Sequence, residues 1–318
     1  MPRQLTKSEL HEHIVAVMHE MGEEDPFEAV RSKARSVIDS YHHTLGEEPP
    51  FNMQAVASFR GLHWSDDDPR FSPDSEIAPE ADGRVVLRVN KDRPLCRQRF
   101  SISHEIGHTL FPDYHLAVRC RKADDRSWAD PDDLLETLCD TAASEIMFPI
   151  PWFVERIRMM EFSAGALAEL ADDYEASREA TVRRFVELHE QPLAAVFFSW
   201  KLKPVERREI KARARTKPLF PGMELPQPTP LLRVDYRIAN DAFDSRCSDF
   251  IPKDKSVPNE GPIYDASMKQ TPQDGAQRLD FGRLDRRFQI HALPIYTDEN
   301  DVGPDGGSSV VAILNPLT

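Results

Sequence analysis

Cysteine is scarce in this chain: four in 318 residues, at Cys96, Cys120, Cys139 and Cys247. No two stand at the short spacing of a zinc knuckle, and their scatter argues against a disulfide framework. Long apolar runs are missing too. Met1-Pro2-Arg3-Gln4 leads into no hydrophobic stretch, so neither a secretory signal nor a membrane span is expected, and the expected compartment is the cytoplasm. The sequence shows no phosphate-cradling glycine loop and no internal repeat. Positive charge is in deficit, 40 Lys and Arg against 54 Asp and Glu, for a net charge of -14. That balance disfavours DNA or an anionic membrane as the main partner and leaves protein substrates open. With 40% hydrophobic residues and a mean hydropathy of -0.52, the composition is that of a soluble protein long enough for two domains.

Against these absences stands one dense stretch, His104-Glu105-Ile106-Gly107-His108. Positions four apart on a helix lie about 40° apart around the axis and one turn along it, so both imidazoles can meet one ion, with Glu105 beside it. A zinc hydrolase needs this chemistry: two neutral nitrogens as ligands, and a carboxylate to take a proton from the attacking water. Ile102, Ile106 and Leu110 recur at helical spacing on the opposite side, which implies a helix buried on both faces. Gly107 costs about 1 kcal/mol of helix propensity relative to Ala, so another backbone or a substrate is expected close by.

Catalytic zinc usually takes three protein ligands, and Glu136 is the best candidate for the third. It lies beside an apolar stripe of helical period, Leu135, Leu138, Cys139, Ala142 and Ile146. Asp130, Pro131 and Asp133 read as that helix's start and Pro149 as its end. Glu136 and Asp140 are four apart and share a face, so one can bind metal while the other accepts the spare N–H of a ligand histidine. Two histidines and a carboxylate suit Zn2+, and can also hold Mn2+ or Fe2+.

The run Arg99-Phe100-Ser101-Ile102-Ser103-His104-Glu105-Ile106-Gly107-His108-Thr109-Leu110-Phe111, followed by Glu136-Thr137-Leu138-Cys139-Asp140-Thr141-Ala142-Ala143-Ser144-Glu145-Ile146-Met147-Phe148-Pro149, resembles the ImmA/IrrE family of bacterial and phage metallo-endopeptidases. The resemblance implies an α+β, zincin-like metallopeptidase domain with a small β-sheet and an active-site helix. It implies His104, His108 and Glu136 as zinc ligands, Glu105 as catalytic base and Asp140 as partner of a ligand histidine. Cys139 and Asp140 stand where the family often has Ala-Asn, and Ile146-Met147-Phe148-Pro149 replaces its commoner Leu-Leu-Met-Pro-like ending. Characterised members act on helix-turn-helix repressors and relieve repression in stress or mobile-element responses, so a repressor is the expected substrate.

Upstream, amphipathic segments at Leu10–Met21 and Phe27–Tyr41 and a short helix at Met53–Phe59 are expected. Strands are expected at Leu62–Trp64, Glu76–Pro79 and Arg84–Asn90, the last two joined as a hairpin by the Ala81-Asp82-Gly83 turn. One strand of this sheet is a candidate rail for a substrate peptide. His11, His13, His19, His42 and His43 have no metal-site spacing. Tyr114 and His115, just past the histidine motif, are candidate oxyanion donors.

The expected domains are the peptidase at 1–150, a helical, helix-turn-helix-like segment packed on it at 151–203, a basic and proline-rich connector at 204–230, and a small β-containing domain at 231–318. Ser163–Leu188 carries the helix-turn-helix pattern, but Arg178, Arg183 and Arg184 are outnumbered by Glu169, Asp172, Asp173, Glu175, Glu179, Glu187 and Glu190. Direct DNA binding is therefore not expected. Strands are expected at Leu193–Trp200, Leu231–Ile238, Arg287–Tyr296 and Ser309–Leu314, and a solvated helix within the basic stretch Lys201–Lys217. The sequence thus points to a cytoplasmic zinc endopeptidase. Its rivals are a zinc-containing anti-repressor that does not cut and a DNA-binding regulator.

Overall fold

A computed structural model describes residues 7–65, 73–112, 114–115, 119–120, 131–215, 228–247, 250–282, 285–295 and 303–317. Contacts divide the chain into two units, Met1–Arg158 with Ala171–Ser177, and Met159–Leu170 with Arg178–Thr318.

The first unit opens with helices α1 (Lys7–Met21), α2 (Pro26–Leu45) and α3 (Met53–Phe59). Asp25 caps α2 by accepting from the Phe27 amide at 2.7 Å, Pro26 sits at the first turn where no N–H is required, and Gly46 at φ 70° ends the helix. Asn52 caps α3 in the same way. Strands β1 (Leu62–Trp64), β2 (Ser75–Pro79) and β3 (Val85–Val89) follow, then α4 (Leu95–His108), β4 (Arg119–Cys120), α5 (Pro131–Met147) and α6 (Ile150–Met159). The sheet order is β1-β3-β2-β4. The expected hairpin is present: β2 and β3 pair antiparallel from Ser75↔Val89 to Pro79↔Val85, with Gly83 at φ 85° in the turn. The helices and the sheet share one core, in which Ile38, Tyr41, Phe51, Ile77, Leu87 and Ile106 are almost fully buried. Glu145 of α5 is tied to α2, its carboxylate accepting from Arg35 Nε at 3.0 Å and Nη2 at 3.1 Å.

The second unit contains the start of α7 (Ala164–Asp173), then α8 (Arg178–Leu188), β5 (Ala194–Lys201), α9 (Pro204–Arg215), β6 (Leu231–Ala239), α10 (Asp241–Arg246), α11 (Pro262–Lys269), β7 (Gln273–Asp280), β8 (Asp285–Ile295) and β9 (Ser309–Pro316). Its sheet is antiparallel in the order β6-β5-β9-β8-β7. β5 is the strand expected at Leu193–Trp200, and it bonds to β6 on one side and β9 on the other. The helix pair expected at Ser163–Leu188 is present as α7 and α8, and Ser163 caps α7 through the Ala166 amide. α8 buries Val182, Phe185 and Val186 and packs beside β5, β6, β8 and β9. Four of the elements named above were not anticipated: β4, α10, α11 and β7. β7 reads Gln-Asp-Gly-Ala-Gln-Arg-Leu-Asp, an edge strand with one buried residue and none of the β-branched or aromatic residues that mark a strand.

Candidate metal centre

α4 has little helix propensity of its own, with Ser101, Ser103, two histidines and Gly107, and no side chain caps its first turn. Packing holds it: every residue from Ser101 to His108 is buried. Arg99, also buried, donates to the Phe51 carbonyl at 3.1 Å and pairs with Glu175 at 2.8 Å. Burial pulls its pKa down, opposed by the Glu175 charge.

The close approach that Gly107 implied is to α5. A Cβ there would lie 3.0 Å from the Cys139 carbonyl oxygen and 3.1 Å from its Cα. Glycine therefore sets how near the two helices come, and that spacing brings the side chains of α4 and α5 together.

The two imidazole rings sit 5.0 Å apart, centre to centre. Their Nε2 atoms face one carboxylate, His104 at 3.1 Å from Glu136 Oε2 and His108 at 3.4 Å from Glu136 Oε1. Their Nδ1 atoms face elsewhere. His104 Nδ1 is 2.7 Å from Asp140 Oδ1, and His108 Nδ1 is 3.3 Å from Cys139 Sγ. Burial opposes charge on His104, but hydrogen bonds to Asp140 and Glu136 and the Asp140 and Glu105 charges prevail, raising its pKa to about 9. Glu105 is fully buried and accepts at Oε1 from the Ser75 hydroxyl at 2.6 Å, which ties it to β2.

His104, His108 and Cys139 also form a close group of metal-ligating atoms. The two sets compete, since Cys139 meets His108 at Nδ1 and Glu136 meets it at Nε2. The carboxylate set uses the same nitrogen of both rings and leaves both Nδ1 atoms to orienting partners, whereas the cysteine set draws on Nδ1 of His108.

Of the other residues singled out in the sequence, Tyr114 is half-buried, its hydroxyl 3.8 Å from where a Cβ would stand at Gly61, and its ring meets that of His115. The structure describes no contact of either with the histidine pair. His42 bonds through Nδ1 to the Glu47 carbonyl and meets the edge of Trp152. Asp130, the expected cap of α5, lies outside the described residues. Ser75 was missed because the expected strand began one residue later. Cys139 was read as part of the apolar stripe and as a departure from the family's Ala, not as a neighbour of His108 Nδ1.

Two buried imidazoles and a carboxylate, brought together by two helices beside a small sheet, are the apparatus of a metallopeptidase domain. Residues 59–186 match the IrrE N-terminal-like domain, peptidase family M78. The chain thus carries a domain of the ImmA/IrrE metallopeptidase family. The radiation response metalloprotease IrrE of Deinococcus radiodurans is 32% identical over 131 residues, which are 38% of this chain and 37% of that protein. The match therefore spans little more than a third of that relative. A Mycobacterium tuberculosis transcriptional regulator of known structure aligns with a TM-score of 0.48 and 12% identity, over 96% of this chain and 81% of that one, a likeness too slight to bear on fold or function.

Proposed function

We propose that this protein is a zinc-dependent endopeptidase that hydrolyses a peptide bond in a protein substrate, a helix-turn-helix repressor, and so relieves repression. The observation that carries the reading is the Glu136 carboxylate lying against the Nε2 atoms of both histidines. His104, His108 and Glu136 would hold the ion, and Asp140 orients His104. Bound there, zinc supplies Lewis acidity, and Mn2+ or Fe2+ suit the same donors. Glu105 takes a proton from the attacking water and passes it to the leaving nitrogen, while the Ser75 hydroxyl fixes the orientation of its carboxylate. Tyr114 or His115 is proposed as oxyanion donor once substrate is bound. The catalytic apparatus is assigned to residues 1–150.

The repressor rests on the family resemblance. A reading without direct DNA contact is supported by the α8 arginines: Arg178 donates to the Pro294 carbonyl, Arg183 to Glu179 and Tyr236, and Arg184 to Glu187. No described helix is long and apolar enough to cross a membrane, and the proposed compartment is the cytoplasm.

The test is Glu105→Gln. Proton transfer by a positioned carboxylate contributes typically about 10²- to 10⁴-fold, whereas the part of this side chain in holding the ion should be small. The variant should keep zinc and keep binding the repressor, sought by trapping with the inactive protein, while losing cleavage. If it relieves repression in cells as fully as the parent, the protein acts as an anti-repressor that binds without cutting.

A further inference from the structure

The ligand histidines are held at their outer nitrogens by two consecutive residues of α5. Asp140 takes Nδ1 of His104 at 2.7 Å, and Cys139 takes Nδ1 of His108 at 3.3 Å. Such an outer partner is usually a carboxylate, a carbonyl or a water, and it fixes the tautomer and the ring orientation. Here one of the two is a thiol.

We infer that Cys139 is a positioning residue for His108, its sulfur accepting the Nδ1–H so that the Nε2 lone pair stays aimed toward Glu136. The inference rests on the metal-site reading above and adds a residue to it. Three observations support it. Cys139 is fully buried, so at His108 Nδ1 the sulfur stands where water would otherwise be the common partner. The backbone of Cys139 is pinned against α4 by the approach that Gly107 permits, so the sulfur is carried by a fixed support. The two contacts are also parallel, adjacent residues of one helix meeting the same atom of two histidines one turn apart on the other. They differ in strength. Asp140 offers a charged acceptor and Cys139 a weak neutral one, so His108 is the less firmly oriented ligand.

The experiment measures zinc affinity by chelator competition for the full-length parent, Cys139→Ala, Cys139→Ser, Asp140→Ala and Glu136→Ala, with urea melts of the chelated proteins alongside. Cys139→Ala should weaken zinc binding by up to about tenfold, at the low end of the range for outer partners and less than Asp140→Ala. Cys139→Ser, which restores an acceptor, should fall between parent and Ala. The Co2+-loaded parent should show no thiolate-to-metal charge-transfer band in the near ultraviolet. Unchanged affinity in Cys139→Ala would reduce the sulfur to packing and overturn the inference, leaving the metal site intact. A charge-transfer band that vanishes in Cys139→Ser would overturn it differently, making Cys139 a direct ligand. Zinc bound equally well by parent and Glu136→Ala would remove the carboxylate site itself, and the inference with it.

Discussion

Glu136 is the side chain on which the proposed site turns, since its carboxylate faces both Nε2 atoms. Replacing His104, His108 or Glu136 with Ala should each drop zinc content, measured by elemental analysis, well below one per chain, because three protein ligands become two. Full zinc in the Glu136 variant would place the third ligand elsewhere. Asp140→Ala should lose affinity by about 10- to 100-fold and still load at high zinc. Away from the site, the side chain of Glu145 is 0% exposed while that of Arg35 is 36% exposed. Removing the arginine therefore takes the two-pronged donor from a buried charge. Arg35→Ala should destabilise the protein toward the low end of the roughly 3–5 kcal/mol typical of a broken buried pair, because Arg31 remains 4.0 Å away. A urea midpoint equal to the parent's would show that Glu145 is solvated or protonated without its partner.

Between α4 and α5 the decisive residue has no side chain. Gly107→Ala gains about 1 kcal/mol of helix propensity but drives a methyl group against the Cys139 backbone, an overpacking that typically costs about 1–3 kcal/mol. The neighbour is backbone in a packed helix and yields little, so the net effect should be a lower thermal midpoint together with weaker zinc binding. A raised midpoint would show that α5 can retreat. These helices also show what was legible in the sequence. Histidines four apart announced α4 and its chemistry, and the stripe from Leu135 to Ile146 announced α5, because periodicity reports burial directly. The full reach of α4 back to Leu95 was not legible, since Arg97, Gln98 and Arg99 carry no apolar period and Arg99 is buried only through partners distant in sequence. α10, α11 and β7 escaped notice for a similar reason: they are short or polar, and tertiary pairing decides them. Ser75 and Cys139 are contacts across elements, which spacing along one element cannot reveal.

At the scale of the molecule, the second unit holds a pH response separate from the proposed catalysis. Phe162 stacks on His291 at 4.0 Å, and Phe185 and His189 complete the cluster. Burial lowers the pKa of both histidines, and for His291 it outweighs the Asp274 carboxylate 2.6 Å from Nδ1. A histidine depressed in the fold resists protons that the unfolded chain accepts, so its contribution is present above about pH 6.5 and is lost as the pH falls below it. The thermal midpoint should therefore decline between about pH 7 and 5, and His291→Asn should flatten the slope. Equal slopes in parent and variant would clear His291 of the effect. The place of β5 carries a different consequence, one of timing. Its partner in the sheet, β9, pairs Leu314 with Ala194, about 120 residues later in the chain. At about 5–20 residues per second, a ribosome that has finished β5 needs roughly 6 to 24 s to supply that partner. β6 arrives sooner and can cover one edge, but the other edge of Ala-Ala-Val-Phe-Phe must wait until residues 310–314 have been made, and this interval is when the nascent protein is most exposed to aggregation.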